Sequence, residues 1–531
     1  MFILKTEIFK IYRRNNNNIN KVCEILKNGG VVALPTETVY GLAADALNPE
    51  AVKKIFAAKG RPADNPLIVH IANKEQLKEI ALSVPENAQK CINAFWPGPF
   101  TVILPKKDIV PDITSGGLNT VAVRCPENPI INEIIKRSGL MLAAPSANLS
   151  GSPSPTTFKH VLSDMNGRIE GIVNSYDCKI GVESTVVSFL NNEVRLLRPG
   201  KITAERIKKI IPDLIIDSGV LQIIKDQKKA LSPGMKYKHY APKCSVTLIN
   251  GKKQAFIKFV NRKNITVLAE KTEQEYITAP KIFLGEHPEH RLFTALRELD
   301  EKGIKKAYVK SPDKKGMGLA LYNRLIRAAG FNEINLPLVL GLTGPSGVGK
   351  TSFAAKAKEF GFAVIDCDKA AREVTDEALP MLIKAFGETI VSNGKLNRKK
   401  LGVIAFSTEE NTQKLNGIML PVIVKNINKK IKKLSVKNDV ILLDGATLIE
   451  SGAAEKICKK IIVVTADEQI RFNRFKARDN LNDIEAEARK KASKPNEFYK
   501  SYADYYLLNN GSFSEFNTVC EKTLKEIIKD L

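Results

Sequence analysis

A glycine-rich segment in the middle of the chain places the first limit on its fold. Residues 344–351 read G-P-S-G-V-G-K-T, between an apolar run that predicts a strand (338–342) and a run that predicts a helix (353–359). Glycines at this spacing let successive backbone N–H groups surround phosphate oxygens, while Lys350 reaches the terminal phosphates and the Thr351 hydroxyl holds Mg²⁺. The segment therefore predicts a nucleotide-binding α/β domain.

The same pattern also arises by chance in unrelated sequences, and the strand and helix on either side of it favour the phosphate-binding interpretation. More than three hundred residues precede the loop, so the chain carries at least one further domain. The residues expected to hold ATP in the loop are Gly347, Val348, Gly349, Lys350, Thr351 and Ser352, with Thr351 as the metal ligand.

Length and composition narrow the remaining possibilities. A chain of 531 residues forms roughly three or four domains of ordinary size. The formal net charge of +25 is compatible with direct RNA binding, or with a lysine-rich enzyme that handles phosphates. The eight cysteines include no C-x-x-C pair, which argues against a structural zinc site or a disulfide framework. Since no segment has the roughly 18 consecutive apolar residues of a membrane span, we expect a soluble, cytoplasmic protein without a membrane partner.

Two motifs near the N-terminus suit a polar ligand that bears phosphates. P-T-E-T-V-Y-G-L (35–42) follows a predicted strand, and K-G-R-P-A-D-N-P-L-I-V-H spans 59–70. Because alternate side chains of an extended segment point the same way, Lys59 and Arg61 would present two cations to one ligand, as a polyphosphate requires. Taken by itself, the segment is equally compatible with a solvated turn that carries unrelated charges.

Further motifs follow in a set order. They are F-W-P-G-P (95–99), V-R-C-P (123–126), A-P-S-A-N-L-S-G (144–151), G-V-E-S-T-V (181–186), L-R-P-G (197–200), the connector S-P-G-M-K-Y-K-H-Y-A-P (232–242) and K-G-M-G-L-A-L-Y-N-R (315–324). In order and spacing the whole set resembles the threonylcarbamoyl-AMP synthase family, in the long form that joins a YrdC-like domain to a C-terminal accessory domain. The resemblance covers nearly all of residues 1–330.

That resemblance implies a reaction. Such enzymes form a carbamate from L-threonine and bicarbonate or CO₂, and the carbamate attacks the α-phosphate of MgATP to give threonylcarbamoyl-AMP and pyrophosphate. The adenylate passes to a tRNA-modifying transferase complex that makes N6-threonylcarbamoyladenosine (t6A), so contact of this chain with tRNA would be indirect. Orientation of the reactants and neutralisation of charge can supply the rate without a protein nucleophile.

The resemblance also implies roles for particular residues. The threonine-binding residues would be Thr38, His70, Arg124, Ala144 and Ser184. The ATP-binding residues would be Lys59, Arg61, Asn65, Thr120, Ser146, Asn148, Ser154, Arg198 and His239. A lone histidine such as His70 is more often a buried core residue, and only the motif supports its ligand role. The connector with Lys236, His239 and Tyr240 is expected to close over the cavity and exclude water.

Two acidic residues follow the glycine-rich loop. Asp366 and Asp368 come at the end of the next predicted strand, in D-C-D-K-A-A-R (366–372). A carboxylate there can orient an acceptor hydroxyl toward the γ-phosphate or accept its proton, although an aspartate at a strand end also serves as a helix N-cap. Together with Lys350, the two aspartates are the predicted catalytic residues.

Over residues 337–531 the chain resembles the dephospho-coenzyme A (dephospho-CoA) kinase family. The motifs that carry the resemblance are the glycine-rich loop, D-x-D-x-x-A-R, L-N-R-x-x-L-G (396–402), L-N-x-I (415–418), the strand that ends at Asp444, and the segments at 503–504 and 509–511. The family implies transfer of a phosphoryl group from MgATP to the 3′-hydroxyl of dephospho-CoA. Arg471, Arg474 and Arg478 recur on one helical face, as in a lid that closes on phosphates or, alternatively, a solvated basic face.

Three positions depart from that family. Leu420 stands where the family usually has the histidine of H-P, Ala446 where it has the proline of P-L-L-x-E, and Ser493 where a glutamine of the lid is expected. The departures lie nearer the acceptor and the lid than the ATP triphosphate. They leave open an alternative in which this domain binds nucleotide as a regulator without turnover.

The predicted fold class is α/β, with a mixed-sheet domain, a small Rossmann-like domain and a phosphate-loop kinase domain that has a parallel sheet and a helical lid. The predicted boundaries are 1–201 for the YrdC-like domain, 202–243 for the linker or lid, 244–331 for the accessory domain and 337–531 for the kinase. We expect a bifunctional enzyme that uses L-threonine, bicarbonate or CO₂, ATP and dephospho-CoA, with Mg²⁺ at both sites.

Overall fold

A computed structural model of the chain describes residues 4–63, 65–222, 240–392, 394–491 and 493–530. The chain divides into two compact units. The first comprises Met1–Ile249 and Ile265–Ile334, and the second comprises Asn250–Asn264 and Asn335–Leu531. Both units are built of helices packed on sheets, which confirms the predicted α/β fold class.

The first unit contains a large mixed sheet. Its strands are β1 (Glu7–Lys10), β2 (Val32–Leu34), β3 (Gly41–Asp45), β4 (Ile68–His70), β5 (Phe100–Pro105), β6 (Thr120–Arg124), β7 (Leu142–Ala143), β8 (Gly171–Asn174), β9 (Thr185–Leu190), β10 (Glu193–Arg198) and β11 (Ile215–Ile216). Their order in the sheet is β1-β8-β2-β3-β7-β4-β6-β5-β9-β10-β11. The helices are α1 (Asn18–Lys27), α2 (Pro49–Lys59), α3 (Leu77–Ile80), α4 (Glu86–Phe95), α5 (Asp112–Ser115), α6 (Pro129–Ser138), α7 (Phe158–Met165) and α8 (Ala204–Lys208), with a 3₁₀ turn at Ser218–Val220.

Local sequence signals explain where these helices begin. Asn48 caps α2 by accepting hydrogen bonds from two backbone N–H groups, and Pro49 occupies the first helical position, where no N–H partner is needed. Asn128 likewise caps α6 by accepting a hydrogen bond from the Ile130 N–H, and Pro129 follows it at the first helical position. Helical periodicity and caps therefore defined these elements without tertiary information.

Two strand pairings bring polar residues to one edge of the sheet. Strands β4 and β6 are parallel, with His70 opposite Arg124, and β4 and β7 are antiparallel, with His70 opposite Leu142. All three residues of β4 are buried, as expected for a strand inside a covered sheet. The carboxyl ends of β4 and β6 thus bring His70 and Arg124 side by side.

A smaller parallel sheet follows. Its strands are β12 (Ser245–Asn250), β13 (Thr266–Ala269), β14 (Lys281–Phe283), β15 (Lys306–Lys310) and β16 (Glu333–Asn335), in the order β14-β13-β15-β12-β16. The pairs β12–β15, β13–β15 and β13–β14 are parallel. The helices in this stretch of the chain are α9 (Lys253–Lys263), α10 (Lys271–Gln274), α11 (Pro288–Glu301) and α12 (Gly316–Ala328), of which α9 belongs to the second unit.

The second unit is centred on a five-stranded parallel sheet. Its strands are β17 (Leu338–Thr343), β18 (Ala363–Asp366), β21 (Val440–Asp444), β22 (Lys460–Thr465) and β23 (Tyr505–Leu508), in the order β18-β21-β17-β22-β23, and a separate hairpin joins β19 (Val391–Ser392) to β20 (Lys395–Leu396). The helices from residue 335 onward are α13 (Lys350–Glu359), α14 (Cys367–Glu373), α15 (Thr375–Phe386), α16 (Arg398–Ala405), α17 (Glu409–Leu434), α18 (Ala453–Ile457), α19 (Glu468–Asp479), α20 (Asp483–Lys491), α21 (Asn496–Lys500) and α22 (Phe513–Asp530), with a 3₁₀ turn at Glu388–Ile390. The glycine-rich loop joins β17, the central strand, to α13, as the sequence predicted. Among the described residues, no helix is both long and apolar enough to cross a bilayer.

Candidate active sites

The first unit has a polar cavity at the edge of the large sheet where β4 and β6 end. It is lined by Thr38, Val39, Arg61, Ile68, His70, Arg124, Ala144, Pro145, Ser146, Glu183, Ser184, Arg198 and Tyr240. All five residues predicted to bind threonine are in this lining, together with three of those predicted to bind ATP. The cavity therefore brings together motifs that are separated by more than two hundred residues in the chain.

Arg124 is the most constrained cation of this cavity. Its side chain is 4% exposed, and its Nη2 lies 2.6 Å from Oε1 of Glu37, which is also buried. Nη1 donates to Thr38 Oγ1 at 3.0 Å, and Nε donates to the Gly98 carbonyl at 3.2 Å. The buried ion pair holds the guanidinium in one orientation at the cavity wall.

His70 is neutral in this cavity. Burial, with a further contribution from the positive charge of Arg124, lowers the pKa of the imidazole to about 3. Nδ1 lies 3.1 Å from the Ile68 carbonyl, so in the neutral ring this nitrogen carries the proton. His70 can thus orient a substrate by hydrogen bonding, but it does not exchange protons near pH 7.

Arg198 and Ser184 form another part of the cavity lining. The Nε of Arg198 donates to the Ser184 carbonyl at 3.0 Å, and its Nη2 donates to Ser184 Oγ at 3.1 Å. Ser184 Oγ is also 2.8 Å from the Thr101 hydroxyl on β5. The serine hydroxyl therefore has a fixed position between a strand and a buried arginine.

Glu183 links the cavity to helix α12. Its Oε2 accepts a hydrogen bond from Arg324 Nε at 2.9 Å, and its Oε1 accepts one from Ser154 Oγ at 2.6 Å. Arg324 is fully buried, and its Nη1 also donates to the Pro199 carbonyl, directly after Arg198. Since Glu183 is buried as well, each member of this pair depends on the other to balance its charge.

Five further predicted ATP ligands are described and are not in the cavity lining: Lys59, Asn65, Thr120, Asn148 and Ser154. Lys59 Nζ donates to the carbonyls of Ser146 (2.5 Å) and Asn148 (2.9 Å), so it supports the loop that carries Ser146. Asn148 is buried, and its Nδ2 donates to the Leu149 and Ser152 carbonyls, while the Ser154 hydroxyl donates to Glu183. Asn65 is buried next to Gly116, and Thr120 is half-buried at the start of β6. Of the predicted lid, Tyr240 lines the cavity, and Lys236 and His239 lie outside the described residues.

The second unit has a cavity of about 390 Å³ at the phosphate loop. It is lined by Ser346, Gly347, Val348, Gly349, Lys350, Thr351, Ser352, Asp366, Asp368, Asp444, Ala446, Arg474 and Arg478. Every loop residue predicted to hold ATP is in the lining, and so are both predicted catalytic aspartates. The volume is in the range of ordinary small-molecule sites.

Two glycines of the loop have a steric requirement. Gly344 has φ +138°, and a Cβ there would lie 2.0 Å from the Val464 carbonyl oxygen. Gly349 has φ +99°, and its Cβ would lie 2.5 Å from the Asn509 side chain, whose Nδ2 donates to the Val348 carbonyl at 2.8 Å. The loop conformation therefore depends on both glycines and on an anchor from the far end of the unit.

Charges in this cavity shift one another's pKa values. Lys350 Nζ donates to the Gly344 and Pro345 carbonyls at 2.7 and 2.9 Å, and burial lowers the pKa of its ammonium to about 8. Burial, with the nearby carboxylates of Asp366 and Asp368, raises the pKa of Asp444 to about 6. A lysine and three carboxylates thus face the same space.

Asp366 also has a structural role. It is the N-cap of α14, and its Oδ1 accepts a hydrogen bond from the Lys369 N–H at 2.8 Å. Asp368 lies in the first turn of the same helix. Because both side chains still line the cavity, capping and a role in the reaction are compatible.

The three arginines of α19 have different contacts. Arg471 is buried and donates from Nε to the Ser346 carbonyl at 3.2 Å, so it supports the loop. Arg474 donates to the Asn509 carbonyl at 2.9 Å, while Arg478 binds Asp479 through two hydrogen bonds of 2.8 Å. Arg474 and Arg478 line the cavity, as expected of a lid. Arg471 instead holds the backbone of the loop at Ser346.

Two acidic residues of the cavities, Glu183 and Asp444, were not among the predicted site residues. Glu183 stands inside the motif G-V-E-S-T-V, and Asp444 ends the apolar strand β21, so both had a visible signal. Of the positions that depart from the kinase family, Ala446 lines the cavity and Leu420 is half-buried within α17. The backbone N–H of Ser493 donates to the Lys490 carbonyl at 3.1 Å, which does not bear on a lid role.

Three family models match consecutive parts of the chain. The model described as Telomere recombination matches residues 24–200. Those described as Threonylcarbamoyl-AMP synthase, C-terminal domain, and as Dephospho-CoA kinase match residues 202–330 and 338–515. The order of the three is the order that the motifs predicted.

Curated relatives and solved structures match the N-terminal part. The threonylcarbamoyl-AMP synthase of Pyrococcus abyssi is 43% identical over 325 residues, which cover 59% of this chain and 94% of the relative. That of Bacillus subtilis is 43% identical over 333 residues, 60% of this chain and 95% of the relative. The crystal structure of P. abyssi Sua5 complexed with L-threonine has 41% identity and a TM-score of 0.58, and the match covers 62% of this chain and 100% of that one. The chain therefore belongs to the threonylcarbamoyl-AMP synthase family, and it is an enzyme in which a dephospho-CoA kinase domain follows the synthase region.

Proposed function

We propose that the chain is a bifunctional enzyme. Residues 1–330 form threonylcarbamoyl-AMP from L-threonine, bicarbonate or CO₂ and MgATP, and the product goes to a tRNA-modifying complex for t6A synthesis. Residues 337–531 transfer the γ-phosphoryl group of MgATP to the 3′-hydroxyl of dephospho-CoA. The synthase activity is supported above all by one observation: three arginines, Arg61, Arg124 and Arg198, line one polar cavity.

Three guanidinium groups around one cavity favour a ligand with several negative charges. Arg124 lies beside Thr38 and His70, so it suits the carboxylate of an amino acid, with the neutral imidazole ready to accept a hydrogen bond from the substrate. Arg61 and Arg198 complete the positive lining and suit the phosphates. The P. abyssi relative was crystallised with L-threonine, which supports this assignment of the amino acid.

The proposed synthase chemistry needs no protein nucleophile. A carbamate oxygen attacks the α-phosphorus of ATP, the bond between the α-phosphorus and the bridging oxygen breaks, and pyrophosphate leaves. The arginines neutralise the charge that builds up on the leaving group, and the fixed Ser184 hydroxyl and Thr38 hold the amino acid in line. His70, with a pKa of about 3, contributes orientation only.

The kinase chemistry is supported by the loop and the carboxylates that face it. The acceptor oxygen attacks the γ-phosphorus, the bond to the β-phosphate oxygen breaks, ADP leaves, and the hydroxyl proton passes to a carboxylate. Asp366 and Asp368 are the candidates for that carboxylate, since both line the cavity with Lys350. Mg²⁺ enters with ATP, and Thr351 and Asp444 offer the hard oxygen ligands that it prefers.

Product analysis by mass spectrometry tests both halves in the full-length chain. ATP with L-threonine and bicarbonate should give threonylcarbamoyl-AMP and pyrophosphate, and ATP with dephospho-CoA should give coenzyme A and ADP. Arg124→Met and Lys350→Ala serve as reciprocal controls, because each should abolish one product and leave the other. Failure to form the adenylate contradicts the synthase proposal. Binding of ATP without coenzyme A at saturating acceptor would instead establish the regulatory alternative for the second half.

A further inference from the structure

Helix α9 supplies cations to the carboxyl end of α13, the helix that begins at the phosphate loop. Arg262 Nη1 donates to the Phe360 carbonyl at 3.0 Å, and Lys258 Nζ donates to the Gly361 carbonyl at 2.6 Å. The last carbonyls of a helix have no partner within it, and the helix dipole favours positive charge at that end. Both side chains therefore complete α13 at the end opposite to the loop.

The same arginine neutralises a buried carboxylate. Arg262 Nε donates to Asp439 Oδ2 at 3.0 Å, and Nη2 donates to Oδ1 at 3.2 Å. The Asp439 side chain is 0% exposed and that of Arg262 is 12% exposed. Asp439 directly precedes β21, and its carbonyl accepts a hydrogen bond from Leu338 at the start of β17. Asp439 thus lies at the amino ends of the adjacent strands β17 and β21, and an unpaired charge at such a buried position is strongly unfavourable.

A third cation of α9 acts on another helix of the unit. Lys263 Nζ donates to the carbonyls of Ile528 and Lys529 at 3.0 and 2.8 Å, in the last turn of α22. In addition, the Arg262 guanidinium carbon lies 5.0 Å from the ring centroid of Phe362, which begins the segment leading to β18. Helix α9 therefore contacts three separate parts of the second unit: the end of α13, the residue before β21 and the end of α22.

We propose that the Arg262–Asp439 pair makes the stability of the phosphate-loop unit depend on α9, a segment of that unit that is separated in the chain from residues 335–531. In sequence, α9 lies between β12 and β13 of the smaller sheet. The second unit is discontinuous in sequence, and a fragment that starts at residue 337 lacks the cation that pairs with the buried carboxylate of Asp439. This inference concerns folding, so it stands whatever acceptor the kinase uses.

Hydrogen exchange of the full-length chain tests the proposal. In Arg262→Met the carboxylate of Asp439 is left unpaired, and peptides from α13, β17 and β21 should exchange about a hundredfold faster than in the wild type. In Arg262→Met/Asp439→Asn the charge is gone from both partners, and exchange should return to within about threefold of the wild type. The control is Lys252→Met, at the exposed N-cap of the same helix, which should leave exchange unchanged.

A second probe separates a local effect from general unfolding. The chain has a single tryptophan, Trp96, which is buried in the first unit, so its fluorescence reports on that unit. The denaturant midpoint of Trp96 should be the same in Arg262→Met and in the wild type. Wild-type exchange rates in Arg262→Met, an equal loss of protection in both units, or a double variant as unstable as the single one would each overturn the proposal.

Discussion

The linings of the two cavities are assembled in different ways. In the second unit, seven consecutive residues from the loop and the first turn of α13, Ser346–Ser352, form much of the lining. In the first unit, the lining is drawn from segments that range from Thr38 to Tyr240 and that the fold brings together. A contiguous loop relies on its own backbone N–H groups, whereas a dispersed cavity relies on arginines that other buried groups must hold.

Buried lysines illustrate the same difference. Lys350 and Lys59 each donate to two backbone carbonyls, and burial lowers the pKa of Lys350 to about 8 and of Lys59 to about 7. Lys350 lines its cavity and can exchange its carbonyls for phosphate oxygens. Lys59 lies behind the lining and supports a loop, so we expect Arg61 to be the cation of that motif with the larger effect on the nucleotide.

Replacing Arg324 with Met tests how far the dispersed cavity depends on long-range pairing. The change leaves the buried carboxylate of Glu183 without its partner, which typically costs about 3–5 kcal/mol of stability. Urea unfolding followed by the fluorescence of Trp96 should show that loss, together with loss of pyrophosphate release. Arg291→Met, which removes a half-exposed ion pair in the same unit, should change the stability by less than about 0.5 kcal/mol. A wild-type midpoint for Arg324→Met would show that the first unit does not depend on the Arg324–Glu183 pair for its stability.

Lys350→Ala addresses the contiguous loop. An ammonium at the β- and γ-phosphates is needed most as charge develops during transfer, so coenzyme A formation should fall about 10²- to 10³-fold. Adenylate formation by the first unit should be unaffected, since its cavity has its own cations. Lys356→Ala, on the outer face of the same helix, is the matched control. If the variant retains its kinase rate, the phosphate loop is not the reacting site.

For Arg61→Ala, the loss should fall on ATP and much less on threonine. Charge-assisted hydrogen bonds to a polyphosphate are worth about 1.5–3 kcal/mol, which corresponds to roughly tenfold to a hundredfold in adenylate formation. Steady-state pyrophosphate release at varied ATP and varied threonine distinguishes the two substrates. Arg137→Ala, which removes a surface pair with Glu133, should be silent. Full activity in Arg61→Ala would place the triphosphate elsewhere in the cavity.

The pH dependence should separate a lysine site from an arginine site. Lys350 binds phosphates as an ammonium, which is present below its pKa of about 8 and is lost as the pH rises through that value. The kcat/KM of the kinase for ATP should therefore fall about tenfold between pH 7 and pH 9. Guanidinium groups keep their charge across that range, so adenylate formation should decline less. Parallel profiles for the two activities would mean that a lysine also dominates the first cavity.

The contiguous parts of the molecule were predictable from the sequence. The phosphate loop, the caps of α2 and the apolar runs of β5, β6 and β9 are local features, because glycine spacing, capping residues and periodicity act within a few residues. Motif order also gave the families. Glu183 and Asp444 both stand in visible motifs, but neither was predicted as a site residue, because the role of a carboxylate depends on which cation it meets in the fold.

Tertiary structure alone decided how charges are paired. Nothing in the sequence indicates that Arg324 binds Glu183, that Lys59 supports the loop of Ser146, or that Arg262 binds Asp439. The sequence by itself determined the α/β class, the loop that holds phosphates and the order of the two enzymes. Partners for buried charges were decided only by the fold, since a Coulomb interaction depends on distance in space and on exclusion of water, and neither follows from separation along the chain.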